Sequence, residues 1–289
     1  MVQDLMTKSE IAYYRIRNRL ENWLVPRNIG DRKDTFPFLS CDSYALRCHY
    51  AIPRHLAESD VHTRLKNIEN FSSVYIPARH ASRALSIFEE NSSKFKKIIL
   101  GDDDLTISTD ILKELGQFSE KIYAINMRGA NNLATALPIG LESPSYRSGG
   151  RLRDFKDLPR IDTASRVFSF LVAWNDSTNV LKRRLAKNAF LGVEQSFIAS
   201  GRLPAQVVHR LMRKSLFVPC PSGNGLDTHR VWESIYLGAV PIIQKEDSFA
   251  AIRDWPVLIV DSWDEISGLT RRRLEDIYLS TDLLLEINK

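Results

Sequence analysis

FVPCPSGNGLDTHRVWESIYLGAVPII, residues 217–243, packs a strand, a turn, a helix and a second strand into one short stretch. Phe217 and Val218 end an apolar run, and Pro219 to Gly225 can continue neither strand nor helix. Asp227 stands where an N-cap belongs, before a helix expected from Thr228 to about Leu237, and Gly238 stops it. At about 100° per residue, Trp232, Ile235 and Tyr236 fall on one face and Arg230 and Glu233 on another. One stripe can therefore pack while the other looks outward. The helix start beside Ser222, Gly223, Asn224 and Gly225 offers backbone N–H groups and a partial positive charge, which with Arg230 suit a diphosphate. Thr228 and His229 lie beside that point, and Glu233 can accept hydrogen bonds from a pair of sugar or ribose hydroxyls.

Outward from this stretch the same unit recurs. VYIPA (74–78), KIILGD (97–102) and KIYAIN (121–126) read as strands, separated by helices over 80–95 and 109–118. After a break rich in Pro, Gly and charge over 143–163, RVFSFLVAW (166–174) opens a second series. A helix over 179–190 follows, then a strand near 193–199, a helix ending at Arg213, strand 215–219, the helix of the opening stretch, strand 239–243, strand 257–260 and a terminal helix over 270–287. Strands alternating with helices at this spacing require parallel sheets, because parallel neighbours need crossovers. The expected fold is α/β, with two Rossmann-like domains, 1–145 and 166–289, facing a central cleft and joined by a linker at 146–165. The terminal helix is free to pack back on the first domain. Residues 7–24 have partial amphipathic spacing and read as a helix, whereas the first 70 residues otherwise carry little signal.

The opening stretch resembles the donor-site signature of exostosin-like glycosyltransferases, carried here by Cys220, Pro221, Gly223, Arg230, Glu233, Gly238 and Pro241. Weaker echoes lie in IYAINMRGANNLATALPIGLE (122–142), WNDSTNVLKRR (174–184) and WPVLIVDSWDEI (255–266). The resemblance implies the GT-B fold and transfer of a monosaccharide from a nucleotide-diphosphate sugar, a UDP-sugar favoured, to a hydroxyl of a glycan or lipid-linked glycan. It puts the donor on the second domain and the acceptor on the first. No cofactor beyond the donor substrate and no metal is expected.

Composition has the profile of a soluble globular protein. Hydrophobic residues make up 44% of the 289 and charged residues 26%, a balance able to bury two cores. Cys41, Cys48 and Cys220 cannot all pair, and no CxxC or paired-histidine spacing suggests a metal site. A net charge of +5 is spread among 35 acids without a nucleic-acid-binding motif, so the expected partners are anionic small substrates or a membrane surface rather than nucleic acid. With no apolar leader or span visible, a cytoplasmic location is the expectation, and the inner face of the membrane is the alternative site within it.

Further site residues follow from the sheet ends. Asn175, Ser177 and Arg184, with Arg183 beside it, come after strand 166–174, and a guanidinium there can take a second phosphate contact. An inverting transfer needs a base, and Asp102 or Asp103, just past strand 97–102, is expected to serve, with Glu142 as a second choice. Each residue also has a structural reading: Arg230 and Glu233 as an (i, i+3) ion pair, the glycines as a turn, the aspartates as caps. Two rival functions stay open, a nucleotide-sugar epimerase and a catalytically silent nucleotide- or glycan-binding module.

Overall fold

The computed structural model describes residues 11–17, 32–146, 152–156, 158–159 and 161–287, with side chains to residue 281. It contains two parallel five-stranded sheets in a Rossmann-like α/β arrangement. Residues 11–17 are helical, and the rest of the helix expected over 7–24 lies outside the described residues.

The first sheet runs β1 (Tyr50–Ala51), β2 (Ser73–Pro77), β3 (Lys97–Gly101), β4 (Ile122–Ala124), β5 (Thr135–Ala136) in chain order, every pair parallel. Around it lie α1 (Cys41–Ala45), α2 (Glu58–Lys66), α3 (Ala81–Glu90) and α4 (Thr109–Leu115). Right-handed crossovers that always step the same way leave their helices on one face. Val74, Ile76, Ile98 and Leu100 accordingly pack with Val61 and Leu65 of α2, Leu85 and Phe88 of α3 and Leu112 of α4, while alternate residues Tyr75 and Ile99 face away. α1, α2 and β1 lie where the sequence pattern carries little signal. Five-residue α1 is held by a reciprocal cap between Ser40 and Ser43, too short a feature to show periodicity.

The second sheet comprises β6 (Phe168–Val172), β7 (Ser196–Ile198), β8 (Ser215–Pro219), β9 (Val240–Gln244) and β10 (Leu258–Val260), in the order β10-β9-β8-β6-β7. The chain steps outward from β6 to β7, returns across β6 to β8, and then continues the other way. Helices consequently cover both faces. On one lie α5 (Val180–Ala189) and the terminal α9 (Arg271–Ile287), with α8 (Asp264–Ser267); Ala186, Tyr278 and Ile266 pack there against Phe170, Phe217 and Val240. On the other, α6 (Ala205–Arg213) and α7 (His229–Tyr236) contribute Val207, Leu211, Val231 and Trp232. The described part of α9 thus packs on the second sheet and not on the first, with Tyr278 edge-on to Phe217 at 6.1 Å and its hydroxyl donating to Gly238 O.

Between the sheets one apolar cluster joins both halves, with Cys41, Tyr75, Ile139 and Leu141 on one side and Val218, Trp232 and Ile235 on the other. The stretch expected as a linker takes part. Leu152–Asp154 forms a short 3-10 turn, and the next residue, Phe155, is buried against Phe38 at 5.9 Å. Tyr236 also bridges the halves, accepting from Leu39 N–H at 3.0 Å.

Candidate active site

In an open parallel sheet the loops beyond two neighbouring strands separate where the strand order reverses, which opens a crevice at their carboxyl ends. Here that point is between β6 and β8. A cavity of about 620 Å³ lies there, lined by Ala173, Trp174 and Asn175 after β6, Cys220 to Asn224 in part after β8, the start of α7, and Asp104, Ile139 and Glu142 from the first half. Its size is within the range of small-ligand sites.

Arg230 and Glu233 both line this space. Arg230 Nη1 donates to Ala173 O at 2.7 Å, and its Nε is 3.5 Å from Glu233 Oε2. Arg183, from α5, reaches the same wall, donating through Nε to Ser222 O at 3.3 Å and through Nη1 to Asn175 O. Burial, with the like charge of Arg230 behind it, lowers the Arg183 pKa from its ordinary value. Arg184 is exposed on the next position of α5 and does not line the cavity, so the expected second cation is Arg183 instead. Each step along a helix rotates the side-chain direction by about 100°, which is why only one of the adjacent pair faces inward here.

The turn between β8 and α7 is held more by protein than the sequence implied. A side chain at Gly223 would meet Arg183 Nη2 at 2.8 Å, and one at Gly225 would meet Asn126 at 3.1 Å, so both glycines admit neighbouring side chains. Asn224 lines the cavity and donates to Asp104 Oδ2 at 3.2 Å. Ser222 is buried, its N–H directed to Asp247 at 3.4 Å, and it is not part of the cavity wall. Ser177 is likewise outside, exposed, its N–H bonded to Asn175 Oδ1 at 3.2 Å, whereas Thr178 next to it lines the cavity.

Asp227 is not the cap of α7. Thr228 occupies that position, and Asp227 is buried with its two carboxyl oxygens accepting from Trp232 Nε1 at 2.6 Å and from Ile139 N–H of the first half at 2.7 Å. Burial drives its pKa up to about 8 in spite of these two bonds. Its own N–H donates to Asn126 Oδ1 at 2.9 Å, and His229 Nδ1–H donates to Gly140 O at 2.7 Å. These bonds fasten the start of α7 to the first half. Two residues of the cavity wall carry a buried polar atom without a partner, Oγ1 of Thr228 and Nε1 of Trp174.

Asp102 and Asp103 do not reach the cavity. Asp102 accepts from Arg32 at 2.7 Å and Arg54 at 2.8 Å, inside a buried cluster that also holds Asp42, itself bonded by Arg54 and by Ser143 Oγ at 2.5 Å. Asp103 is paired with Arg79, which adds a backbone N–H at 2.9 Å. Asp104 and Glu142 are the first-half carboxylates on the cavity wall. Three adjacent aspartates look alike in sequence; only their backbone directions separate them.

Sequence reasoning missed Trp174, Arg202, Asp104 and above all His209, which also lines the cavity. Arg202 sits in a Gly/Pro loop after β7, a position that the sheet-end argument reaches. His209 is a single histidine within an amphipathic helix, and nothing local marks it. Among the described residues, no group of three or more His, Cys, Asp or Glu is disposed to hold a metal ion, and no helix is long and apolar enough to cross a membrane.

Fold and site together define an α/β protein with two parallel Rossmann-like sheets and a polar cavity at the strand-order reversal of the second. A scan of the sequence against protein-family models finds no match, and a search of curated proteins returns no significant one.

Proposed function

We propose that this chain is a GT-B-type glycosyltransferase, moving a monosaccharide from a nucleotide-diphosphate sugar to a hydroxyl of a glycan acceptor. The observation that carries the reading is the meeting of Arg183, Arg230 and the N-terminus of α7 on one cavity wall, where Arg183 bonds to carbonyls and Thr228 Oγ1 has no partner. Two guanidiniums and a helix N-terminus create a site that a diphosphate neutralises, the charge that grows as a nucleoside diphosphate leaves. Glu233, one turn further along α7 on the same cavity wall, accepts the ribose hydroxyl pair. Glu142 or Asp104, across the cavity, takes the acceptor proton if the anomeric centre inverts.

A second reading has its own support. With Asp102 and Asp103 committed to arginines, a catalytically silent nucleotide-binding module needs no base at all. The test is thermal stabilisation by UDP, GDP, dTDP, ADP and CMP, followed by release of nucleoside diphosphate from the selected sugar nucleotide with glycan acceptors present. Selective stabilisation lost in Arg230→Ala supports the site, and a hundredfold excess over Kd adds about 2.7 kcal/mol. Acceptor-dependent release separates the transferase from both the binding module and an epimerase. No stabilisation by any nucleotide refutes the site.

A further inference from the structure

On the cavity wall behind Glu233, His209 of α6 is buried between two carboxylates brought together from distant parts of the chain. Its Nδ1 is 3.1 Å from Asp154 Oδ2, on the 3-10 turn of the connecting stretch, and its Nε2 is 3.7 Å from Glu233 Oε1. The ring is fixed as well by Phe155, whose centroid is 4.7 Å away. On α7 the other titratable groups near Glu233 are Arg230 and His229, and on α6 Arg210 donates to Tyr14 and Arg213 to Pro159 O. A carboxylate beside each nitrogen favours the doubly protonated ring, with Nδ1–H donating to Asp154 and Nε2–H facing Glu233 at ion-pair distance.

We infer that Asp154 and His209 are positioning residues that hold the Glu233 carboxylate ionised and aimed at a vicinal diol of the bound ligand. The inference rests on the reading that Glu233 accepts the ribose hydroxyls, and it adds residues that the α7 signature does not contain. Burial alone would push Glu233 toward its neutral form, which would offer one acceptor fewer; His209 and Arg230 outweigh burial and hold its pKa at about 2. For His209, burial favours the neutral ring, but Asp154 and Glu233 prevail and its pKa is raised. The connecting stretch between the halves thereby has a direct hold on the cavity through Asp154.

Calorimetric affinities of the full chain for UDP and GDP, each beside its 2′,3′-dideoxy counterpart, test this. Hydrogen bonds to an ionised carboxylate should favour the ribose form on the order of tenfold to a hundredfold in the wild type. Glu233→Gln should cut that preference to within about threefold, and so should Asp154→Asn and His209→Gln, in which dideoxy affinity should stay within about twofold of the wild type. Asp154→Glu should restore part of it. NMR titration of the His209 ring should place its pKa above 6.5 in the wild type and lower it in Asp154→Asn. If none of UDP, GDP, dTDP and ADP binds the wild type, the proposed function falls and this inference with it. If nucleotide binds but Asp154→Asn and His209→Gln retain the full ribose preference, the positioning pair alone is overturned.

Discussion

The two sheets are built from the same repeating unit, yet the charges at their carboxyl ends have opposite fates. In the first, strands follow chain order without a reversal, and charges around the loops after β1, β2 and β3 cancel one another: Arg32 and Arg54 against Asp42 and Asp102, Arg79 against Asp103. Beyond β6 and β8 the order reverses, the loops part, and Arg183 and Arg230 face open space with carbonyls as their hydrogen-bond acceptors. Strand order therefore separates charge used for cohesion from charge left for a ligand.

Breaking the first arrangement should give the largest effect. Arg54→Ala leaves two buried carboxylates short of a partner and should cost about 3–5 kcal/mol in denaturant unfolding, since removing one partner strands a buried charge. In the second arrangement the same kind of change should spare stability and remove function. Arg183→Ala should alter unfolding by less than about 1 kcal/mol while lowering nucleoside-diphosphate affinity by on the order of tenfold or more. Equal losses of stability in the two variants would erase the contrast.

Two buried carboxyls of α7 and its approach sharpen it through pH. Glu233 is lowered from its ordinary 4.5 to about 2, so its contribution is complete above 4.5 and is lost as pH falls toward 2. Asp227 is raised from 3.8 to about 8, so the folded state holds the extra proton between those values and stability falls as pH rises through 8. Unfolding midpoints across pH should show the acid limb flattened in Glu233→Gln and the decline toward pH 8 flattened in Asp227→Asn. Smallest of all, Arg184→Ala and Ser177→Ala, both exposed and off the cavity wall, should change stability by no more than about 0.5 kcal/mol and leave nucleotide affinity untouched.

What was legible in the chain tracks how local each signal is. Strands β2, β3, β4, β6, β8 and β9 are short apolar runs bounded by turn residues, and α7 carries both of its stripes in eight residues, so their existence and parallel pairing follow from period and spacing. Arg230 and Glu233 were legible for the same reason. Arg183 over Arg184, and Asp104 over Asp102 and Asp103, were not, because identical side chains at adjacent positions differ only in the direction the backbone gives them. Asp227 looked like a cap because it precedes a helix, but it bonds to Ile139, far away in sequence.

Hydrophobic period, caps and turn residues act over a few positions, so the α/β class, the two successive β/α series and the helix of residues 229–236 with its charged stripe were readable from the chain alone. Tertiary structure alone decided the order of strands in each sheet, the neutralisation of Asp102 and Asp103, the fastening of Asp227 to the first half and the seating of His209 between Asp154 and Glu233. Those outcomes depend on which distant groups share a buried, weakly screened space, and Coulomb and desolvation energies there are set by distance in the fold rather than separation along the chain.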